Sequence, residues 1–304
     1  LRQKVVPTGS SLKADMFIVN ETGLNGPHIL AVTVENPCGA LLMEKTFGVN
    51  IFGGDEYGQL LAENIDIPPC AAHGYYTVKA ALKDASGILK ASSGDKAFVV
   101  DAGGPVALRG AVIDSSGVVN RALKMHWGVQ LPDFSKITGT PEYVVIGPGA
   151  PSDARQLAPL MELAANGAAL IVLDRADRFA GLLAGTYLPA VDYRGTYDVS
   201  RGTFVAGKHD ILNGLPQGTA FNWEYQTLYT VRKSDLTALK LFSEKIIVAA
   251  VASDRKEIGA ALAVVPFGRG KIVLCTLPVL QRLHDDSPQA VAARRLFRNL
   301  LAYG

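Results

Sequence analysis

Tyr143–Asp177, YVVIGPGAPSDARQLAPLMELAANGAALIVLDRAD, sets the fold of the second half of the chain. It opens on a short apolar run rich in β-branched residues, Tyr143–Ile146, and passes through a glycine-proline turn at Gly147–Pro151. Leu157, Leu160, Met161, Ala164 and Ala165 then recur at i, i+3, i+4, i+7 and i+8, the stripe of a helix with one buried face. Asn166-Gly167 stops that helix, because a residue tolerating positive φ closes the last turn cheaply. A second apolar run, Ala168–Leu173, ends in Asp174-Arg175-Ala176-Asp177. Two short, unalternating strands around one amphipathic helix predict a βαβ unit, with parallel strands covered on both faces. Pro159 lacks an N–H and would clash with the carbonyl four residues back. The regular helix is therefore expected to begin near Ala158, after a loose turn at Ser152–Gln156.

A chain of 304 residues predicts two domains. A hydrophobic content of 48% suits a globular protein with a substantial core. Lys+Arg number 30 and Asp+Glu 28, a net charge of +2 with no basic run, which argues against nucleic acid as a partner. Arg294, Arg295 and Arg298 fit the solvated side of one helix. The three cysteines, Cys38, Cys70 and Cys275, show no CxxC spacing and no adjacent histidine pair, so neither a zinc site nor another metal or cofactor is expected. A Cys38–Cys70 disulfide is left open by spacing. No apolar run is long enough to span a membrane, and none reads as a signal peptide. The chain begins at Leu1 rather than methionine and reads as part of a longer product.

From Met16 to Asp101 the pattern is that of strands. Ile29–Val34 is stopped by Asn36-Pro37, and Lys45–Phe52 alternates Phe47, Val49 and Ile51 with polar partners. Leu60–Ile67 alternates Leu61, Ile65 and Ile67, and Tyr75–Leu82 alternates Tyr76, Val78, Ala80 and Leu82. Ala97–Val100 closes the set. Short alternating strands between Pro, Gly and Asn turns predict a β-sandwich of roughly seven strands.

The series FIVNET…ILAVTVENP…IDIPP…GYYTVKAALKDASG resembles the immunoglobulin-like sandwich modules of glycoside hydrolases, especially the family 2 β-galactosidase and β-glucuronidase group. Asn20-Glu21, the strand ending Glu35-Asn36-Pro37, and Gly74–Gly87 carry the likeness. Beyond a hinge at Asp101–Pro105, Arg109–Asp114 reads as a strand and Val118–Trp127 as a helix burying Val119, Leu123 and Trp127. Ile246–Ala252 reads as a strand, and Ala260–Pro266 with Lys271–Thr276 as a hairpin-like pair. Ser287-Pro288 is expected to cap a closing helix that buries Leu296, Phe297, Leu300 and Leu301. Strands alternating with helices predict a three-layer α/β domain. YVVIGPG, ELAANGAALIVLD, HDILNGLP (His209–Pro216), FGRGKIVLCTLPV and RLFRNLLAYG resemble the flavodoxin-like class I glutamine-amidotransferase fold, nearest its trehalose-utilisation-type and β-galactosidase-associated branches. The expected organisation is thus a multidomain β plus α/β chain. Residues 1–104 form an immunoglobulin-like sandwich and residues 105–304 an amidotransferase-like domain.

That resemblance implies a thiolate on a strand-to-helix elbow, activated by histidine and oriented by a carboxylate. The elbow should follow Ala168–Leu173, where Asp174-Arg175-Ala176-Asp177-Arg178 stands instead, without Cys or Ser. Cys275, within a later strand, reads as a buried structural thiol. No residue is assigned as catalytic. Asp174 and Asp177, at the carboxyl end of a parallel strand, are candidate ligand-binding or acid/base groups. The competing reading is a solvated ion-pair loop with Arg175 and Arg178. Phe221-Asn222-Trp223-Glu224-Tyr225 offers aromatic faces and a carboxylate for a sugar, against a core tryptophan beside a loop glutamate. His126-Trp127 and His284-Asp285-Asp286 are weighed in the same way, the latter against a charge cluster at a helix start. Gly147-Pro148-Gly149 lacks the spacing of a phosphate loop.

The expectation is a non-catalytic accessory or structural region of a larger glycoside hydrolase, secreted or periplasmic as the resemblance implies. Its partners would be an upstream catalytic domain of the same chain, carbohydrate, or a second copy in a homo-oligomer. The alternatives are a carbohydrate-binding module using Trp223, Tyr225 and Trp127, and an independent hydrolase using Asp174, Asp177 or His284.

Overall fold

A computed structural model describes residues 1–53, 58–187, 193–198, 203–229, 237–241, 246–252 and 257–304. The chain divides into two compact units, Leu1–Ala102 and Gly103–Gly304.

The first unit consists of strands β1 (Val5–Pro7), β2 (Leu12–Val19), β3 (Gly26–Glu35), β4 (Leu41–Ile51), β5 (Gly58–Ile67), β6 (Gly74–Asp84) and β7 (Leu89–Val100). One sheet runs β1-β7-β6-β3-β4, antiparallel except where β1 joins β7; β2 and β5 form a second, two-stranded antiparallel sheet. Period-two patterning fills the layer between them. Val32 and Val34 of β3, Tyr76 and Val78 of β6, and Leu12 and Ile67 from the smaller sheet share one buried cluster. Each large apolar side chain fully buried there contributes roughly 1.5–3 kcal/mol. The β6–β7 turn is held by Asp84, whose carboxylate accepts from Ser86 N–H and Ile88 N–H at 2.9 Å each.

Three features of this unit depart from the sequence reading. β1 and β2 were not anticipated. β7 is longer than Ala97–Val100, because its pairing with β6 continues back to Leu89 although Leu89–Gly94 bury nothing; backbone pairing, invisible to a hydrophobic pattern, makes that half a strand. Cys38 and Cys70 are both free, Cys38 exposed and Cys70 buried, with burial pushing the Cys70 thiol up to about 11.

The second unit comprises β8 (Gly110–Ile113), α1 (Val118–Trp127), β9 (Tyr143–Ile146), α2 (Ala154–Ala165), β10 (Ala169–Val172), α3 (Ala176–Leu183), β11 (Tyr193–Asp198), β12 (Thr203–Ala206), β13 (Thr219–Ala220), α4 (Gln226–Tyr229), β14 (Thr237–Leu241), β15 (Ile246–Ala252), β16 (Glu257–Phe267), β17 (Gly270–Cys275), α5 (Val279–Leu283) and α6 (Val291–Tyr303). Its mixed sheet runs β13-β12-β15-β16-β17-β10-β9-β8, with β14 joining β16 and β11 joining β14. β8, β9, β10 and β17 are mutually parallel, and β9 with β10 forms the predicted parallel pair, Tyr143 opposite Ala169. A parallel bridge from Val112 to Asp133 adds the segment after α1 to the outer edge of β8. The chain therefore winds outward through α1 and inward through α2, and its direction reverses between β8 and β9.

Side chains of the parallel strands alternate between two covered faces. Val144, Ile146, Leu170, Val172, Ile272 and Leu274 pack with Leu157, Leu160, Met161 and Ala164 of α2 and with Phe179 and Leu183 of α3. Val145, Ile171 and Val273 are buried between them in sequence. The end of α6 abuts that second face, since a Cβ on Gly304 would stand 2.8 Å from Tyr143 Cβ and 3.0 Å from Ile171 Cδ1. Gly268, in the β16–β17 turn at φ 57°, lies so near α2 that a Cβ would come within 2.6 Å of Ala165 Cα.

α2 begins at Ala154, four residues earlier than expected. Asp153 caps it, accepting from Arg155 N–H at 2.9 Å and Gln156 N–H at 3.0 Å, while Gln156 Oε1 accepts from Ser152 N–H at 2.9 Å. This reciprocal cap fixes the start, and Pro159 deletes only the bond to the Arg155 carbonyl. At the other end of the unit, Ser287 makes no side-chain cap. Its N–H donates to Asp285 Oδ1 at 2.8 Å, and Pro288 opens a 3₁₀ turn, Pro288–Ala290, leading into α6.

Candidate functional site at a strand-to-helix elbow

The carboxyl ends of β8, β9 and β10 are where an open parallel sheet places its ligand crevice. At the reversal between β8 and β9 the polar groups are already engaged. Asp114 accepts from Val119 N–H at 2.7 Å and Ser116 N–H at 3.0 Å, holding the start of α1. Ser115 donates its N–H and hydroxyl to the Pro148 carbonyl at 2.7 and 3.2 Å, tying the loop after β8 to the loop after β9.

The open space lies one strand further, between the loops after β9 and β10. A cavity of about 240 Å³ is walled by Pro148–Pro151 on one side and by Asp174, Arg175, Arg178 and Phe179 on the other. Leu173 N–H still donates to the Ile146 carbonyl at 2.9 Å, so the strand continues to the cavity's edge. Arg175 then takes φ 46° and ψ 45°, and α3 starts at the next residue. Arg175 is one of two non-glycine residues, with Asn64, at positive φ among the described residues. A left-handed L-residue costs roughly 1–2 kcal/mol and persists only where its surroundings enforce it. Here the Arg175 carbonyl accepts from Phe179 N–H at 2.9 Å, which starts the helix at once and leaves the arginine side chain exposed above the strand ends.

Burial pushes the Asp174 carboxyl above the usual carboxylate range; Arg175 opposes the shift, while Asp177 and Asp114 add to it. Asp177 lies in the first turn of α3, outside the cavity lining. The structure thus gathers Asp174, Arg175 and Arg178 around one cavity. It overturns the loop reading of Asp174–Arg178, because Ala176, Phe179, Ala180 and Leu183 bury a helical stripe through the same residues. That i, i+3, i+4, i+7 spacing was present in the sequence; the left-handed arginine left no signal there.

The other candidates are spent on structure. Tyr225 is fully buried, stacks on Phe221 at 3.9 Å and 5°, and donates its hydroxyl to the Pro216 carbonyl, so it offers no sugar platform. Trp223 and Glu224 are half-buried in a 3₁₀ turn, Trp223–Tyr225. Trp127, expected in the core, is half-buried; its indole N–H donates to the Gly103 carbonyl at 3.1 Å and its ring tilts against Phe297. His126 and His284 form a reciprocal tie. His126 Nε2–H donates to the Leu283 carbonyl at 2.6 Å, and His284 Nε2–H donates to the Val118 carbonyl at 3.1 Å. Burial lowers the His126 pKa, with Arg294 and His284 adding to the shift. Asp285 binds Ser287 N–H and Arg282, and among the described residues no cluster of three metal-ligating side chains occurs. Cys275 is fully enclosed, its thiol pushed up to about 12 by burial, which leaves no thiolate for chemistry.

No family model and no curated protein matches the chain. Among solved structures it is similar to a family of glycoside hydrolases at low identity and partial coverage. A Bacteroides uniformis β-glucuronidase is 16% identical, with 55% of this chain and 22% of that one covered and a TM-score of 0.27. A Parabacteroides merdae β-glucuronidase is 14% identical, with 53% and 22% covered and a TM-score of 0.23. A glycosyl hydrolase family 2 member from Bacteroides cellulosilyticus is 12% identical, with 55% and 23% covered and a TM-score of 0.27. The chain spans less than a quarter of the length of each.

Proposed function

We propose that this chain is a non-catalytic accessory region of a larger, secreted or periplasmic glycoside hydrolase. In this reading an immunoglobulin-like sandwich precedes a flavodoxin-like, amidotransferase-type domain whose nucleophile position is held by an arginine. The observation that carries it is the elbow after β10. The chain passes from the end of β10 through one residue straight into a helix, at the place where the resemblance calls for a nucleophile, yet the residue at that turn is Arg175. The buried Cys275 is no substitute. The sequence resemblance supplies the glycosidase context, with an upstream catalytic domain as the partner in the same chain. The test is turnover by this chain of glutamine and of nitrophenyl esters and glycosides. No rate above buffer is expected, and a rate that is lost in Asp174→Asn would sink the proposal.

That last outcome would favour a second reading, in which Asp174, raised by burial within the cavity, acts as a general acid. Such a rate would fall as pH rises through the Asp174 pKa, because the acid must be protonated to donate.

A further inference from the structure

The cavity between the loops after β9 and β10 carries positive charge that the fold does not spend. Arg175 is the N-cap of α3 and Arg178 stands three residues on, so the two lie one turn apart, and both line the cavity. Both are exposed, and among the described residues neither guanidinium makes a hydrogen bond or a salt bridge. Exposed arginines elsewhere are paired: Arg2 grips Asp15 at 2.7 and 2.8 Å, and Arg109 meets Glu142 at 2.9 Å. The acidic side chain in the same wall is Asp174. Burial disfavours its charged form, with Asp177 of α3 and Asp114 of the loop after β8 adding to the shift and Arg175 opposing it. The two guanidiniums, like charges one turn apart, are therefore left short of a counter-charge.

The opposite wall has a different chemistry. Pro148, Ala150 and Pro151 carry neither charge nor a hydrogen-bonding side chain, and Phe179 adds an aromatic ring to the lining. A guanidinium presents parallel N–H groups that match the two oxygens of a carboxylate. An apolar wall facing those groups suits a ligand with a hydrocarbon body behind its charge; a bare inorganic anion would leave that wall without contact. The volume of about 240 Å³ lies below the roughly 300–1,000 Å³ of drug-sized sites, so the ligand is small. Its place, at the carboxyl ends of parallel strands, is where sheets of this kind hold ligands.

We propose that this cavity binds a small organic carboxylate, its charge on the Arg175 and Arg178 guanidiniums and its apolar body against Pro148, Ala150 and Pro151. The probe is benzoate, titrated into the whole chain and followed by calorimetry, with benzamide and inorganic phosphate as comparisons. Saturable benzoate binding is expected, with each comparison at least tenfold weaker. Arg175→Gly, which relieves a left-handed backbone, and Arg178→Gln, at an exposed position, should each weaken benzoate at least fivefold, and the double variant should abolish binding. In the parent chain, affinity should fall as pH rises through the Asp174 pKa, because the carboxylate formed there repels the ligand. Asp174→Asn should tighten binding at pH 7 and flatten that dependence. The proposal is overturned by any of three results. These are an absence of saturable binding, benzamide or phosphate bound as tightly as benzoate, or benzoate affinity unchanged in the arginine double variant. Binding is read without turnover, so its failure would leave the non-catalytic reading of the chain standing.

Discussion

Gly117 and Arg175 perform the same task at two places in the second unit. Each turns the chain out of a parallel strand and into a helix through a left-handed residue at the N-cap, with φ 69° and ψ 14° at Gly117 and φ 46° and ψ 45° at Arg175. Before α1 the backbone conformation falls on a glycine and the free helical N–H of Val119 on the Asp114 carboxylate. Before α3 it falls on an arginine with no side-chain cap. The first junction is capped and tied to its neighbouring loop; the second retains strain and stands beside a cavity. Strained residues of this kind cluster at ligand sites, which makes Arg175 the position to test.

The contrast can be broken at either end. The largest effect is expected from Asp114→Ala, which deprives Val119 N–H and Ser116 N–H of their acceptor and should lower unfolding free energy by about 1–2 kcal/mol in urea melts. An unchanged midpoint would mean that the first junction does not depend on its cap. Gly117→Ala should cost about 1 kcal/mol, chiefly the penalty of backbone φ, since the nearest atom to an added Cβ is the far end of a side chain, Arg121 Nη1 at 3.3 Å, which donates to the Ser116 carbonyl. Arg175→Gly should do the reverse and stabilise the chain by roughly 0.5–1 kcal/mol by relieving the same conformation. A destabilised Arg175→Gly would show that the guanidinium is held by contacts worth more than the strain.

The smallest effect concerns pH. A carboxyl raised in the folded state keeps its proton there after the unfolded chain has lost it. Stability attributable to Asp174 is therefore present below the ordinary carboxylate pKa of 3.8 and declines as pH rises from there through the folded value. Asp174→Asn should match the parent chain in acid and exceed it slightly at pH 7. Parallel stability–pH curves for the two proteins would remove Asp174 from the account of the cavity.

Much of the second unit was legible because its signals are local. The β9–α2–β10 stretch carries its own period, its own stop at Asn166-Gly167 and two runs too short to be helices, and the structure returns all three. The helix start was misplaced because Pro159 was weighed without Asp153, whose carboxylate makes the earlier turn worth forming. Tyr225 was misjudged for a different reason. Whether an aromatic faces solvent or a Phe221 ring is decided by residues brought together in space, and nothing in FNWEY reports it. The candidate site was half visible: Asp174 stood at the end of a predicted strand, but positive φ at Arg175 follows from the tight passage into α3. β2 and the exposed half of β7 escaped because their pairing needs partners 40–60 residues or about 10 residues away, not a burial pattern of their own.

The register of β10 bears on how the molecule is made. Ala169 pairs with Tyr143 on one side and with Lys271 on the other, the second partner about a hundred residues later in the chain. At roughly 5–20 residues per second of synthesis, β10 waits on the order of 5–20 seconds after emerging before β17 exists to cover its second edge. During that interval an apolar parallel strand stands at the edge of a half-built sheet, open to any other nascent chain. The yield of correctly folded protein should therefore depend on the rate at which the ribosome traverses the segment between β10 and β17, with slow codons there favouring aggregation and fast ones relieving it.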